Sequence, residues 1–141
     1  WPVMATLAGV AAAATYEERL VVLQRAGIGL WDVIGECRRS GSLDSAIVRG
    51  SERANALVPL IVSLGQLRVI AFNGATAASL FRRHVEPHLP ELRRPVQRIA
   101  LPSTSPAHAA MGLEALREAW SVLAPWREGS AHGGTGLRAQ A

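Results

Sequence analysis

Three short apolar runs, each followed by polar residues and a helical pattern, set the limits on what this chain can fold into. GIGLWDVI (27–34) is apolar on both alternations, which reads as a strand covered on both faces. RVIAFNG (68–74) reads as a second buried strand and VQRIALP (96–102) as a third. Helical patterns separate them. Residues 2–13 are alanine-rich and nearly uncharged, and predict a buried helix. TYEERLVVLQRAG places Thr15 and Glu18 at capping-box spacing and closes on Gly27, which suits a left-handed helix stop. Residues 55–64 read as a helix in which Pro59 is tolerable only near the start. ATAASLFRRHV follows the second strand as a helix, and GLEALREAWSVLA (112–124) carries Leu113, Leu116, Trp120 and Leu123 at helical spacing. Strands alternating with helices predict an α/β fold with a parallel sheet covered on both faces. Ligands of such sheets bind at the carboxyl ends of the strands, which here are Trp31 and Asp32, Asn73 and Gly74, and the loop 102–108.

One domain is expected over residues 1–126, followed by a glycine-rich, disordered tail over 127–141. With 141 residues, 49% of them hydrophobic, the chain can build a self-sufficient core. All fifteen basic residues are arginine and the net charge is +4, a balance that permits nucleic-acid binding through a side chain whose planar fork suits phosphate. Codon bias is the alternative explanation of the arginines. Cys37 is the sole cysteine, which excludes an internal disulfide or a multi-cysteine zinc site. No apolar run reaches the roughly 18 residues of a membrane span, and 4–14 is short and lacks a basic leader, so a cytoplasmic protein is expected. The chain opens at Trp1 in the middle of what reads as a helix, so the N-terminal part of a longer protein is expected to precede it.

Several chemical signals fail. Gly27 and Gly29 lack the third glycine of a dinucleotide fingerprint and enter a strand where that motif leaves one. HGGTG in the tail lacks the Gly-Lys-Ser/Thr of a phosphate loop. His84 and His88 stand four apart, but Pro87 interrupts the helix between them and no third ligand is evident, so surface histidines are expected and no metal. A triad of Ser103, His108 and Asp32 has no nucleophile elbow to support it. Cys37 beside Arg38 and Arg39 reads as a lowered-pKa thiol or as an incidental cysteine.

The strand ends carry more. Asp32 closes an apolar strand, where a carboxylate requires a partner or an open cleft; it reads as a loop anchor or as a ligand contact. Asn73 with Gly74 reads as a turn into a helix that Asn73 caps, or as a ligand contact. In the loop, Pro102 and Pro106 stiffen the backbone while Ser103, Thr104 and Ser105 offer hydroxyls and amides. Such a loop can clasp phosphate oxygens or cap the helix that follows.

The blocks GIGLWDVIGECRRSGSLDSAI, VIAFNGATAASLFRRHV and LPSTSPAHA, in this order over residues 1–126, resemble the hypoxanthine-DNA (deoxyinosine) glycosylases of the uracil-DNA glycosylase superfamily. The resemblance implies a three-layer α/β/α sandwich with a short parallel sheet. It also implies hydrolysis of the N-glycosidic bond of a deaminated base flipped out of DNA, with no metal or organic cofactor, by a monomer whose partner is DNA containing the damaged base. LPSTSPAHA is similar to the loop that presses into the minor groove at the extruded nucleotide. Uracil-specific relatives carry a histidine where this chain has Leu101; His108, seven positions on, is instead a candidate phosphate contact. Asp32 sits where relatives place an asparagine that reads the base edge. A carboxylate can accept the N1–H of hypoxanthine, yet an ionised one opposes the charge on the departing base; orienting the loop is its other role. Trp31, Asp32, Asn73 and Gly74 are thus the base-binding candidates, and Pro102, Ser103, Thr104, Ser105, Pro106 and His108 the DNA-binding loop.

The family's first motif, a strand and a loop ending in an Asn-x-Phe-Trp-like stretch, is expected just ahead of Trp1, so no catalytic residue is assigned within 1–141. The resemblance therefore implies a complete protein that is a glycosylase and a chain that is inactive alone. A uracil or thymine mismatch glycosylase, and a catalytically inactive DNA-binding module on the same fold, are the alternatives.

Overall fold

A computed structural model describes residues 2–11, 13–36, 38, 48, 51, 53–106 and 111–127. Its elements run α1 (Pro2–Ala8), α2 (Tyr16–Arg25), β1 (Ile34–Glu36), β2 (Arg53–Ala54), α3 (Leu57–Ser63), β3 (Val69–Asn73), α4 (Ala75–His84), β4 (Gln97–Leu101) and α5 (Leu113–Trp120). Short 3-10 turns follow α4 at Glu86–His88 and α5 at Ser121–Trp126.

The centre is the parallel pair β3–β4, in register from Val69↔Gln97 to Asn73↔Leu101. Side chains alternate between the two faces of a strand, and this alternation divides the core. Phe72 points to one face, where Leu57 and Ile61 of α3 and Phe81 of α4 pack with Val85. The rings of Phe72 and Phe81 lie 5.0 Å apart and are tilted by 52°, an arrangement favoured by the aromatic quadrupole. Ala71, Ile99 and Leu101 point to the other face, against Val3 of α1 and Leu116 and Trp120 of α5. The result is a mixed α/β fold whose short parallel sheet carries helices on both faces.

Local signals explain most of the helices. Thr15 Oγ1 accepts from the Glu18 amide at 3.3 Å, and the Glu18 carboxylate accepts from the Thr15 amide at 2.7 Å, which is the capping box the sequence predicts. α2 then stops at Gly27 (φ 71°), where the amide of Ile28 reaches back to the Leu23 carbonyl at 2.9 Å. α1 ends the same way at Gly9 (φ 73°), so it is shorter than the predicted helix over 2–13. α3 begins at Leu57, which leaves Pro59 in its first turn where the missing N–H costs nothing.

One predicted strand is not formed. Residues 28–33 have no regular structure, and only 34–36 pair, antiparallel, with β2. Leu30 and Trp31 are 50% and 66% exposed, so the run is not covered on both faces. A buried parallel strand exists only where a neighbour accepts its backbone ladder, and no described strand flanks 28–33. The second and third predicted strands are formed, over Val69–Asn73 and Gln97–Leu101. The polar stretch 36–47 and the tail from 128 lie almost wholly outside the described residues, whereas Arg127, assigned to the tail by sequence, donates from Nη1 to the Leu7 carbonyl at 2.6 Å. No described helix is long and apolar enough to cross a membrane.

Phe81 is 2% exposed at the centre of the α3–α4 core, so Phe81→Ala is expected to lower stability by about 3–5 kcal/mol. Urea denaturation followed by circular dichroism measures this.

Candidate functional site at the carboxyl ends of the parallel strands

Because β3 and β4 run in parallel, both end on the same side of the sheet, and each runs directly into a polar turn. β3 ends at Asn73 and passes to α4 through Gly74. β4 ends at Leu101 and passes to the loop 102–106. The amide of Gly74 donates to the Leu101 carbonyl at 2.9 Å, which extends the pairing by one bond beyond the strands.

The Asn73 amide then holds the loop from both of its ends. Its Nδ2 donates to Thr104 Oγ1 at 3.0 Å, and its Oδ1 accepts from the Thr104 backbone N–H at 2.8 Å. A carboxamide is the neutral side chain that both donates and accepts in this way. Asn73 therefore does not cap α4, whose N-cap is Gly74 with no side-chain hydrogen bond. Nor does the loop cap α5: that N-cap is Gly112, again without a side-chain bond.

Two further contacts fix the loop. The buried Trp120 of α5 donates from its indole N–H to the Pro102 carbonyl at 3.0 Å. Ser103 Oγ accepts from the Ser105 amide at 3.2 Å, a local turn across two residues. Gly74 makes the close approach possible. Its φ of 96° and ψ of 163° are open to glycine alone, and a Cβ there would stand 3.1 Å from the Ser103 Cβ.

This geometry alters what the loop can offer. The amides of Thr104 and Ser105 are spent inside the loop, so neither is free to bind a ligand. The Ser103 and Thr104 hydroxyl oxygens act as acceptors in these bonds, which leaves their O–H hydrogens to donate outward. Pro106 is exposed at the end of the loop, and His108 lies outside the described residues.

The third predicted tip is placed differently. Asp32 is exposed and precedes β1 instead of ending a strand. It is held through its backbone carbonyl, which accepts from Asn55 Nδ2 at 2.8 Å, and no described hydrogen bond joins it to Asn73 or the loop. Trp31 beside it is exposed. Hollows of about 740 Å³ beside Thr6 and Arg117 and about 390 Å³ beside Arg94 and Arg98 lie elsewhere on the surface. Cys37 and Arg39 lie outside the described residues. His84 is half-buried with its Nε2 unpartnered, against the expected surface position, because α4 ends there against the core residue Val85. Among the described residues no three His, Cys, Asp or Glu side chains gather as a metal site. Trp120 is the site residue that sequence reasoning assigned to the core alone; the signal for its second role is that a buried indole N–H requires an acceptor.

Over 62 residues, or 44% of the chain, the sequence is 44% identical to a hypoxanthine DNA glycosylase of Methanosarcina acetivorans. Those residues span 38% of that relative's length. No protein-family model matches the chain, and no solved structure does.

Gly74→Ala is expected to cost about 1–3 kcal/mol from backbone strain, with the Ser103 contact adding to it. A lowered urea midpoint, together with faster amide exchange at Thr104, measures the loosened turn.

Proposed function

We propose that this chain is the nucleotide-receiving part of a DNA glycosylase that removes hypoxanthine from DNA. The observation that carries the reading is the Asn73–Thr104 clasp at the paired strand ends, which holds a stiff, hydroxyl-bearing loop where parallel sheets bind ligands. The partial identity to a hypoxanthine DNA glycosylase supports the reaction class. Helices on both faces of β3–β4 support a three-layer α/β/α arrangement of the uracil-DNA glycosylase kind.

In this reading the damaged nucleotide leaves the stack at a cost of a few kcal/mol, least for a poorly paired base. The loop enters beside it, and the Ser103 and Thr104 hydroxyls donate to the flanking phosphates. Those contacts fix the register of the protein on the duplex without reading sequence. Trp31 and Asp32, both exposed to solvent, approach the base from the β1 side in this reading. Bond cleavage places cationic character on the sugar, and the adjacent phosphates relieve it. Water oxygen bonds to C1′ as the C1′–N9 pair departs with the base, which carries away a proton. No residue among 1–141 is assigned to positioning the water.

The test uses duplexes that differ by one deoxyinosine. The chain binds the lesion duplex more tightly than its undamaged counterpart, and Ser103→Ala together with Asn73→Ala reduces that preference by about tenfold, the scale of one or two charge-assisted hydrogen bonds. The complete protein releases hypoxanthine and leaves an alkali-labile site. Release from uracil duplexes alone would assign a pyrimidine substrate, and lesion preference unchanged in both variants would remove the loop from recognition.

A further inference from the structure

The end of the sheet away from the strand tips carries its own cluster of charge. α4 starts beside the tips and runs back along the sheet for roughly 15 Å, at 1.5 Å per residue, to end in Arg82, Arg83 and His84. The chain then turns through Glu86–His88 and approaches β4 along LPELRRPVQR (89–98), which adds Arg93, Arg94 and Arg98. Direct bonds hold these pieces at the amino ends of the strands. The Gln97 amide donates to the Arg68 carbonyl at 2.9 Å, Arg94 Nη1 donates to Gln66 Oε1 at 3.2 Å, and Arg98 Nε pairs with Glu86 Oε1 at 3.2 Å. The acids of this end are Glu86, which is already paired, and Glu91.

We infer that this pole is a second binding surface, for the phosphate backbone of a nucleic acid, separate from the strand-tip site. Arg82 and Arg93 are exposed and make no hydrogen bond or ion pair among the described residues, and Arg94 spends one N–H on Gln66. Pro90 and Pro95 bracket the Arg93–Arg94 pair, so the backbone that presents it loses little entropy on binding. Arg94 and Arg98 line the groove of about 390 Å³, with Leu92, Pro95 and the single carboxylate of Glu91. The Arg98–Glu86 pair is about 40% exposed on each side, and an exposed pair contributes little, so phosphate can replace the carboxylate at small cost. A guanidinium fork matches phosphate oxygens bidentately.

What this surface lacks selects the ligand. Leu89 and Leu92, the leucines among the arginines, are half-buried against the Phe72–Phe81 core, which leaves little apolar surface to anchor a lipid interface. Residues 82–98 contain no Trp or Tyr of the kind that anchors protein partners. Charge with a stiff backbone and no apolar centre suits a sequence-independent polyanion. With one duplex at the strand tips, this pole holds a second, so the protein can pass between DNA segments while keeping one contact.

The experiment measures binding of an undamaged 20-base-pair duplex by fluorescence anisotropy between 50 and 300 mM salt. It compares the chain with Arg82→Ala/Arg93→Ala/Arg94→Ala and with the corresponding triple lysine variant. Each lost phosphate contact removes about 0.9 from the logarithmic salt slope, so the alanine triple lowers it by about 2–3 and the lysine triple restores it. A second assay captures a labelled duplex on an immobilised one through the protein, which requires both surfaces; capture is lost in the alanine triple and retained in the lysine triple. Unchanged slope and capture in the alanine triple overturn the inference, as does tighter binding to phosphatidylserine vesicles or polyglutamate than to the duplex. Circular dichroism of each variant checks that these surface changes leave the fold intact. If lesion preference fails while this binding stands, the glycosylase reading falls and the pole remains.

Discussion

The parallel pairing of β3 with β4 is the constraint on which the rest of the structure depends. It places Asn73 level with Leu101, so that two chain segments far apart in sequence emerge side by side. The Gly74 amide then continues the ladder, and the Asn73 side chain bridges to the loop that leaves β4. A register shift of one residue would turn Asn73 and Leu101 to opposite faces and dissolve both the clasp and one of the two cores.

The clasp also sets the chemistry that the loop can perform. A loop with three hydroxyl residues between prolines has many polar groups, but a folded loop must first satisfy its own backbone. Here Asn73, Ser103 and Trp120 do so, and the outward offer is reduced to hydroxyl donors on a rigid frame. Rigid donors suit the positioning of a phosphate, because little freedom remains to be lost on binding. Gly74 is integral to this frame, since its backbone conformation disfavours any side chain and a Cβ there would crowd Ser103.

Legibility from sequence followed the range of the interaction concerned. The capping box at Thr15 and Glu18 and the left-handed stop at Gly27 were legible, as such signals act within a few residues. The strands at 69–73 and 97–101 were legible from their apolar residues bounded by turn signals, although β4 leaves Gln97, Arg98 and Ala100 exposed. The same signal misled at 27–34: an apolar run records that a segment can be buried, not that a neighbouring strand is present to pair with it. The role of Asn73 was legible only as a choice between a helix cap and a contact. Its bonds to Thr104, 31 residues away, replace the cap with a third role, holding the loop.

The sequence by itself determined the two ends of α2, the places of the strands β3 and β4 and the concentration of hydroxyls and prolines after the second, because these depend on backbone conformation and local apolar pattern. Tertiary structure decided which polar groups were consumed in holding the loop and which still face outward. It also decided that the arginines of 82–98 gather at the opposite end of the sheet from the loop. The physical reason is that hydrogen-bond satisfaction and charge clustering are properties of distance in space, and strand pairing, not chain order, sets those distances.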